Sequence, residues 1–132
     1  MMAVLLGAAG CASAPETDML DLGFDMGRVS QAESARLAAR FADKPLGSVQ
    51  NPVRADMPAG QQAYLRRLRC SDGRAPGFGR IGSFGAGPYG SIIDGYSVSC
   101  GGSSPAQSEI YMDMYHAGHV EAAAVPGFTI VP

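Results

Sequence analysis

Hydrophobic and polar positions follow two different rhythms along this chain. Over residues 30–43, Ser34, Leu37, Ala38 and Phe41 recur at i, i+3, i+4 spacing. That is the inward stripe of a helix, and Glu33, Arg36 and Arg40 fall toward the other side. Ser30-Gln31-Ala32-Glu33 is a capping box, in which the first hydroxyl and the later carboxylate satisfy backbone N–H groups of the first turn. Pro45 ends the helix, because the residue before a proline is pushed out of helical geometry. From residue 78 onward the rhythm is two, the signature of half-buried strands. It predicts strands over 78–84, 92–100 and 109–116. In the second of these, Ile92, Asp94, Tyr96, Val98 and Cys100 share a face. A short edge strand over 128–131 is blunted by Pro126 and Pro132.

The remaining segments are less regular. Residues 45–60 carry three prolines and two glycines and read as a long ordered connection, with a short strand near Val53. A helical turn over 61–66 and a strand over 67–70 follow, before the turn Ser71-Asp72-Gly73. Upstream, Leu20, Leu22, Phe24 and Met26 alternate with Asp21, Gly23 and Asp25. This predicts an extended arm with one buried face; the acid spacing does not match an EF-hand loop. The expected fold class is α+β: one N-terminal helix packed on a small antiparallel β-meander. No internal repeat is visible. At 132 residues the chain suits one small domain, here expected over 30–132.

The start of the chain changes the picture. Residues 1–10 are apolar and end in Ala8-Ala9-Gly10, followed by Cys11. A membrane-spanning helix needs about 20 apolar residues, whereas the apolar region of a signal peptide needs only about 7–15. The segment resembles the lipobox of bacterial lipoproteins, in which small residues precede a cysteine that is lipidated and becomes the mature N-terminus. No Lys or Arg precedes the run, so a basic region is expected upstream of Met1. A competing cleavage after Ala12-Ser13-Ala14 is opposed by Pro15. The resemblance implies a signal peptide over 1–10, lipid (palmitate among its chains) on Cys11, and a tether and arm over 11–29. Ala12 rather than Asp after the cysteine implies the outer membrane, facing the periplasm. Attachment through several acyl chains is effectively permanent.

Cysteine parity then has a reading. Three cysteines are odd for an exported protein. If Cys11 carries lipid, Cys70 and Cys100 remain as a pair, and an oxidising compartment favours their disulfide. Closing a loop of about thirty residues would contribute ~3–4 kcal/mol in the chain-entropy model. The alternative is two buried free thiols. The absence of Trp and the 18 glycines point to a modest core with much loop.

Charge is uneven although the net is only −2. Residues 45–80 hold six arginines (54, 66, 67, 69, 74, 80) against Asp56 and Asp72, a net of +4. Beyond residue 80 stand four acids (Asp94, Glu109, Asp113, Glu121) and no Lys or Arg. A basic cluster can meet an anionic partner; outside the cytoplasm that means an envelope lipid or cell-wall polymer, not nucleic acid. Mutual pairing of early basic with late acidic strands is the simpler expectation.

Four motifs carry candidate chemistry. Gly85-Ala86-Gly87-Pro88-Tyr89-Gly90 matches G-x-G-x-x-G, but a strand follows instead of the required helix, and Pro88 removes a backbone donor. A glycine-rich hairpin loop is expected, with Phe84 and Tyr89 as candidate contacts for a partner. Met112, Met114 and His116 fall on one side of a strand, with His119 beyond. Thioether plus imidazole suits Cu(I), and a strand packed in the core is the simpler account. The H-x-x-H spacing lacks the glutamate of zinc hydrolases. No G-x-S-x-G is present; a serine triad would have to assemble in space from Asp94 or Asp113 and a histidine.

Residues Arg69-Cys70-Ser71-Asp72-Gly73, Pro88-Tyr89-Gly90 and Asp94-Gly95-Tyr96 resemble those of small uncharacterised exported proteins of Gram-negative bacteria. That resemblance implies no activity. The expectation is a non-enzymatic, lipid-anchored binding or structural module that meets an envelope protein, lipid or cell-wall polymer. Periplasmic copper binding and a small cell-envelope hydrolase are the alternatives.

Overall fold

A computed structural model of the chain describes residues 30–132. The expected signal segment, Cys11 and the arm lie outside the described residues. Among the described residues the architecture is α+β, with a mixed sheet, two helices and one disulfide.

The first helix, α1 (Gln31–Phe41), begins where the capping box places it. Ser30 Oγ accepts from the Glu33 N–H at 3.2 Å. A short strand, β1 (Val53–Arg54), follows the proline-rich connection. Next comes α2 (Met57–Arg67), with Pro58 in its first turn, where a missing N–H costs nothing. Gln61, Tyr64 and Leu65 are its buried residues. This full helix replaces the single turn expected over 61–66. Pro58 and Gly60 had weakened the helical signal, and the buried Gln61 interrupts an apolar stripe.

The sheet comprises β1, β3 (Gly77–Ala86), β4 (Ile92–Ser99) and β5 (Gln107–Asp113) in the order β1-β5-β4-β3. β3, β4 and β5 form the expected antiparallel meander. β1 adds to it in parallel, pairing Val53 with Met112 and Arg54 with Asp113. The β3–β4 ladder shifts register twice, between Arg80 and Gly82 and between Ser83 and Ala86. A separate small ladder joins β2 (Leu68–Arg69) to β6 (Thr129–Ile130).

One face of the sheet meets α2. Val53, Leu65, Leu68, Val98 and Met112 are fully buried there, with Tyr64, Tyr96 and Ile110 beside them. Gly47 lets the 45–52 connection close on this core. It has φ +89°, and a Cβ there would meet Val125 Cγ1 at 2.7 Å. Its carbonyl accepts from the Tyr111 N–H at 2.7 Å.

Cys70 and Cys100 are bonded to each other. They lie just beyond the ends of β2 and β4. Ser71 and Ser104 reinforce the junction through two further hydrogen bonds.

Candidate functional site

Two buried polar chains run through the molecule, each built on an aspartate of the sheet. The first begins on α1. Ser34 occupies the inward stripe of that helix and is 2% exposed. Its Oγ lies 2.5 Å from His116 Nδ1. His116 Nε2 lies 3.3 Å from Asp113 Oδ1, off the line a hydrogen bond requires, so it remains a buried nitrogen without a hydrogen-bond partner among the described residues. With the imidazole proton on Nε2, facing the carboxylate, Nδ1 accepts from the Ser34 hydroxyl.

Asp113 is fully buried. Its Oδ2 accepts from Ser91 Oγ at 2.5 Å and its Oδ1 from the Tyr115 N–H at 3.0 Å. Burial opposes ionisation, but the contact with His116 and the two hydrogen bonds outweigh it. They hold the carboxyl below its ordinary range. Tyr89 closes the site from the β3–β4 turn, edge-on to His116 with ring centroids 4.6 Å apart and to Phe41 at 5.5 Å. Burial pushes its phenol pKa up, and Arg54 acts against that.

The second chain lies under α2. Arg80 donates to Asp94 Oδ1 at 2.8 Å. Asp94 Oδ2 accepts from Gln61 Nε2 at 2.9 Å, and Gln61 Oε1 accepts from Tyr96 Oη at 2.8 Å. Every member of this set has a partner. Arg80–Asp94 is also where the expected pairing of early basic with late acidic strands is met. Arg67 instead donates to the carbonyls of Glu121 and Val131. Arg69 donates to those of Arg66 and Leu68, and Arg66 stacks over Phe78.

A cleft of about 330 Å³ opens beside the first chain. Ser34, His116, His119, Gln31 and Arg54 are in its wall. Gln31 Nε2 donates to the Ala117 carbonyl at 3.0 Å, and the Gly118 N–H donates to Asp56 Oδ2 at 2.9 Å, so the rim is fastened to both helices. Arg54 also lines the two adjoining clefts.

The candidate copper residues are separated. Met112 is fully buried in the core. Met114 lines a different cleft, beside Arg80 and Asp94. His116 and His119 line the cleft of Arg54. The alternation that aligned them stops because β5 ends at Asp113, whose carboxylate takes the Tyr115 N–H in a tight turn. Among the described residues no cluster of three or more His, Cys, Asp or Glu is placed to hold a metal.

The candidate contacts Phe84 and Tyr89 also part company. Phe84 is 44% exposed; its ring packs edge-on to Tyr111 and lies across Gly95. Tyr89 is 6% exposed, because the hairpin turn folds back under α1, so it presents no surface to a partner.

Ser91 and Gln61 had no signal in the sequence, and Arg54 was marked only as one member of the basic cluster, since long-range register decides their neighbours. Ser34 had one. It is a polar residue on an otherwise apolar stripe, the mark of a buried hydrogen bond. No protein-family model, curated protein or solved structure matches the chain.

Proposed function

We propose that this chain is a non-enzymatic binding module of the bacterial cell envelope, anchored through lipid on Cys11, with the cleft between α1 and residues 116–120 as its binding site. The Cys70–Cys100 disulfide carries this reading. It suits an oxidising compartment, and it leaves Cys11 as the one cysteine of the chain outside the bond. Among the described residues no helix is long and apolar enough to cross a membrane; in this reading the attachment is through lipid on Cys11.

The test is expression of the full chain in a Gram-negative host, followed by fractionation and intact-mass spectrometry. The expected product is membrane-bound, carries acyl mass on residue 11, and becomes soluble in the Cys11→Ser variant. An unmodified residue 11 overturns the anchor. A photo-crosslinker at Val120, which is 74% exposed at the cleft's rim, tests the site. Specific adduct formation with an envelope component, abolished by Ala35→Trp inside the cleft, is expected. Adducts that ignore the blocking residue overturn the site.

A hydrolase is the second reading, favoured by the Ser34–His116–Asp113 contacts. Ser34, however, is nearly fully buried, and its own N–H is engaged by the Ser30 carbonyl within the helix. That N–H therefore cannot serve an oxyanion. A fluorophosphonate probe should leave the protein unlabelled; labelling lost in Ser34→Ala would replace the binding reading with an esterase.

A further inference from the structure

We propose that the cleft beside α1 takes a small ligand ending in an oxyanion, a carboxylate or a phosphate monoester, and that Arg54 is the residue that grips it. This rests on the reading of that cleft as the binding site and adds the chemistry of its occupant.

Arg54 is half-buried on β1, paired in register with Asp113 on β5. Such a pairing puts both side chains on the same face of the sheet. The natural counter-ion is nevertheless committed elsewhere. One oxygen of Asp113 takes Ser91, and the other takes the Tyr115 N–H and faces His116. Among the described residues no carboxylate lies within ion-pair reach of Arg54. The other arginines of the 45–80 cluster whose side chains are held have partners of their own: Asp94 and Ser83 for Arg80, backbone carbonyls for Arg67 and Arg69, and Gln62 and Phe78 for Arg66. A partly buried cation without a counter-ion is costly, and an anionic ligand removes that cost.

The surroundings fit the same chemistry. The wall of the cleft supplies a hydroxyl (Ser34), an amide (Gln31) and two imidazoles (His116, His119), and no acidic residue among the described ones. The acids of the adjoining clefts are engaged, Glu121 with His119 Nε2 at 3.2 Å and with the Ala123 N–H, and Asp56 with the Gly118 N–H at 2.9 Å. The planar guanidinium fork matches a carboxylate or phosphate two bonds at a time, and a lysine would not.

The experiment titrates the full chain in neutral detergent micelles with sodium phosphate and with sodium acetate. It follows the NMR resonances of the His116 and His119 rings and the Gly118 amide. Vesicles containing phosphatidic acid, whose headgroup is a phosphate monoester, and vesicles of phosphatidylcholine alone form a second arm, which separates a lipid headgroup from a free anion. Saturable shifts are expected with at least one anion, or binding to the anionic vesicles alone. In either case Arg54→Gln should weaken binding by about tenfold or more, with the exposed Arg74→Gln unchanged. Retained disulfide and an unchanged melting temperature establish that Arg54→Gln is folded. Equal binding by wild type and Arg54→Gln, or no saturable response to any probe, overturns the proposal. If crosslinking at Val120 still succeeds in that case, the binding module stands and only its ligand chemistry falls.

Discussion

The two aspartate-centred chains differ in one respect that matters. Asp94 sits on β4 with Arg80 on the neighbouring strand, and the two are bonded. Asp113 sits on β5 with Arg54 in register on the neighbouring strand, and the two are not bonded. In the first, a carboxylate, a guanidinium, an amide and a phenol satisfy one another. In the second, Ser91 and His116 face the carboxylate, and Arg54 has no ion-pair partner among the described residues. A satisfied set fixes structure; an unsatisfied cation beside a cleft is available to something else. The same pairing of aspartate and arginine on neighbouring strands therefore reads as scaffold in one place and, in the proposal above, as a site in the other.

The largest expected effect comes from removing the two aspartates. Asp113→Ala leaves the Ser91 hydroxyl and the Tyr115 N–H without their acceptor, and the His116 ring without the carboxylate it faces, in a fully buried position. It should destabilise by about 3–5 kcal/mol, the range for breaking a buried charged network. Asp94→Ala strands the buried Gln61 amide, but Arg80 is half exposed and returns to water. It should cost about 1–3 kcal/mol. Urea denaturation of both variants measures the contrast, and equal losses would erase it.

Ser34→Ala comes next. It removes the link between α1 and His116 and should cost about 1–2 kcal/mol, read as a lower urea midpoint with the Cys70–Cys100 bond intact.

The pH dependence follows from Asp113, whose folded pKa lies below its ordinary value of 3.8. A depressed carboxyl contributes stability that is complete above the unfolded value and is lost as pH falls through the folded one. The urea midpoint should accordingly hold from neutral pH down to about 4 and fall below that. Asp113→Asn should flatten this acid limb.

The smallest effect is the most telling for the comparison. Arg54→Gln removes no bond within the described structure and should leave the melting temperature unchanged or slightly raised. Arg80→Gln breaks the bond to Asp94 and should lower it. A loss in Arg54→Gln as large as that in Arg80→Gln would show Arg54 to be scaffold as well.

Much of the fold was legible in local pattern. The capping box located α1 because Ser30 and Glu33 act within one turn. β4 and β5 were legible because they carry the buried apolar residues of the sheet, whereas β3 has no buried residue and showed only as a run of strand-like rhythm. Cysteine parity named the pair that is bonded. Elements fixed from a distance were not legible to the same degree. β1 is two residues long, and its identity as a strand lies in its parallel pairing with β5. The end of β5 was hidden because Asp113 looks like one more alternating residue until its carboxylate turns the chain. That single misplaced boundary aligned Met112, Met114 and His116 into a copper site that the structure distributes among the core and two clefts. Of the actual cleft, His116 and His119 were visible as unusual residues, whereas Arg54 was one arginine among six.

The paired shifts in β3 have a consequence of their own. This strand is ten residues long, forms the outer margin of the sheet, and leaves Ile81 and Phe84 in solvent. A flat, glycine-rich margin of that length is a template on which a second molecule can zip. The two irregularities break the row of outward amide and carbonyl groups into short lengths and twist them out of line. Neighbouring molecules are thereby denied a continuous seam along this strand.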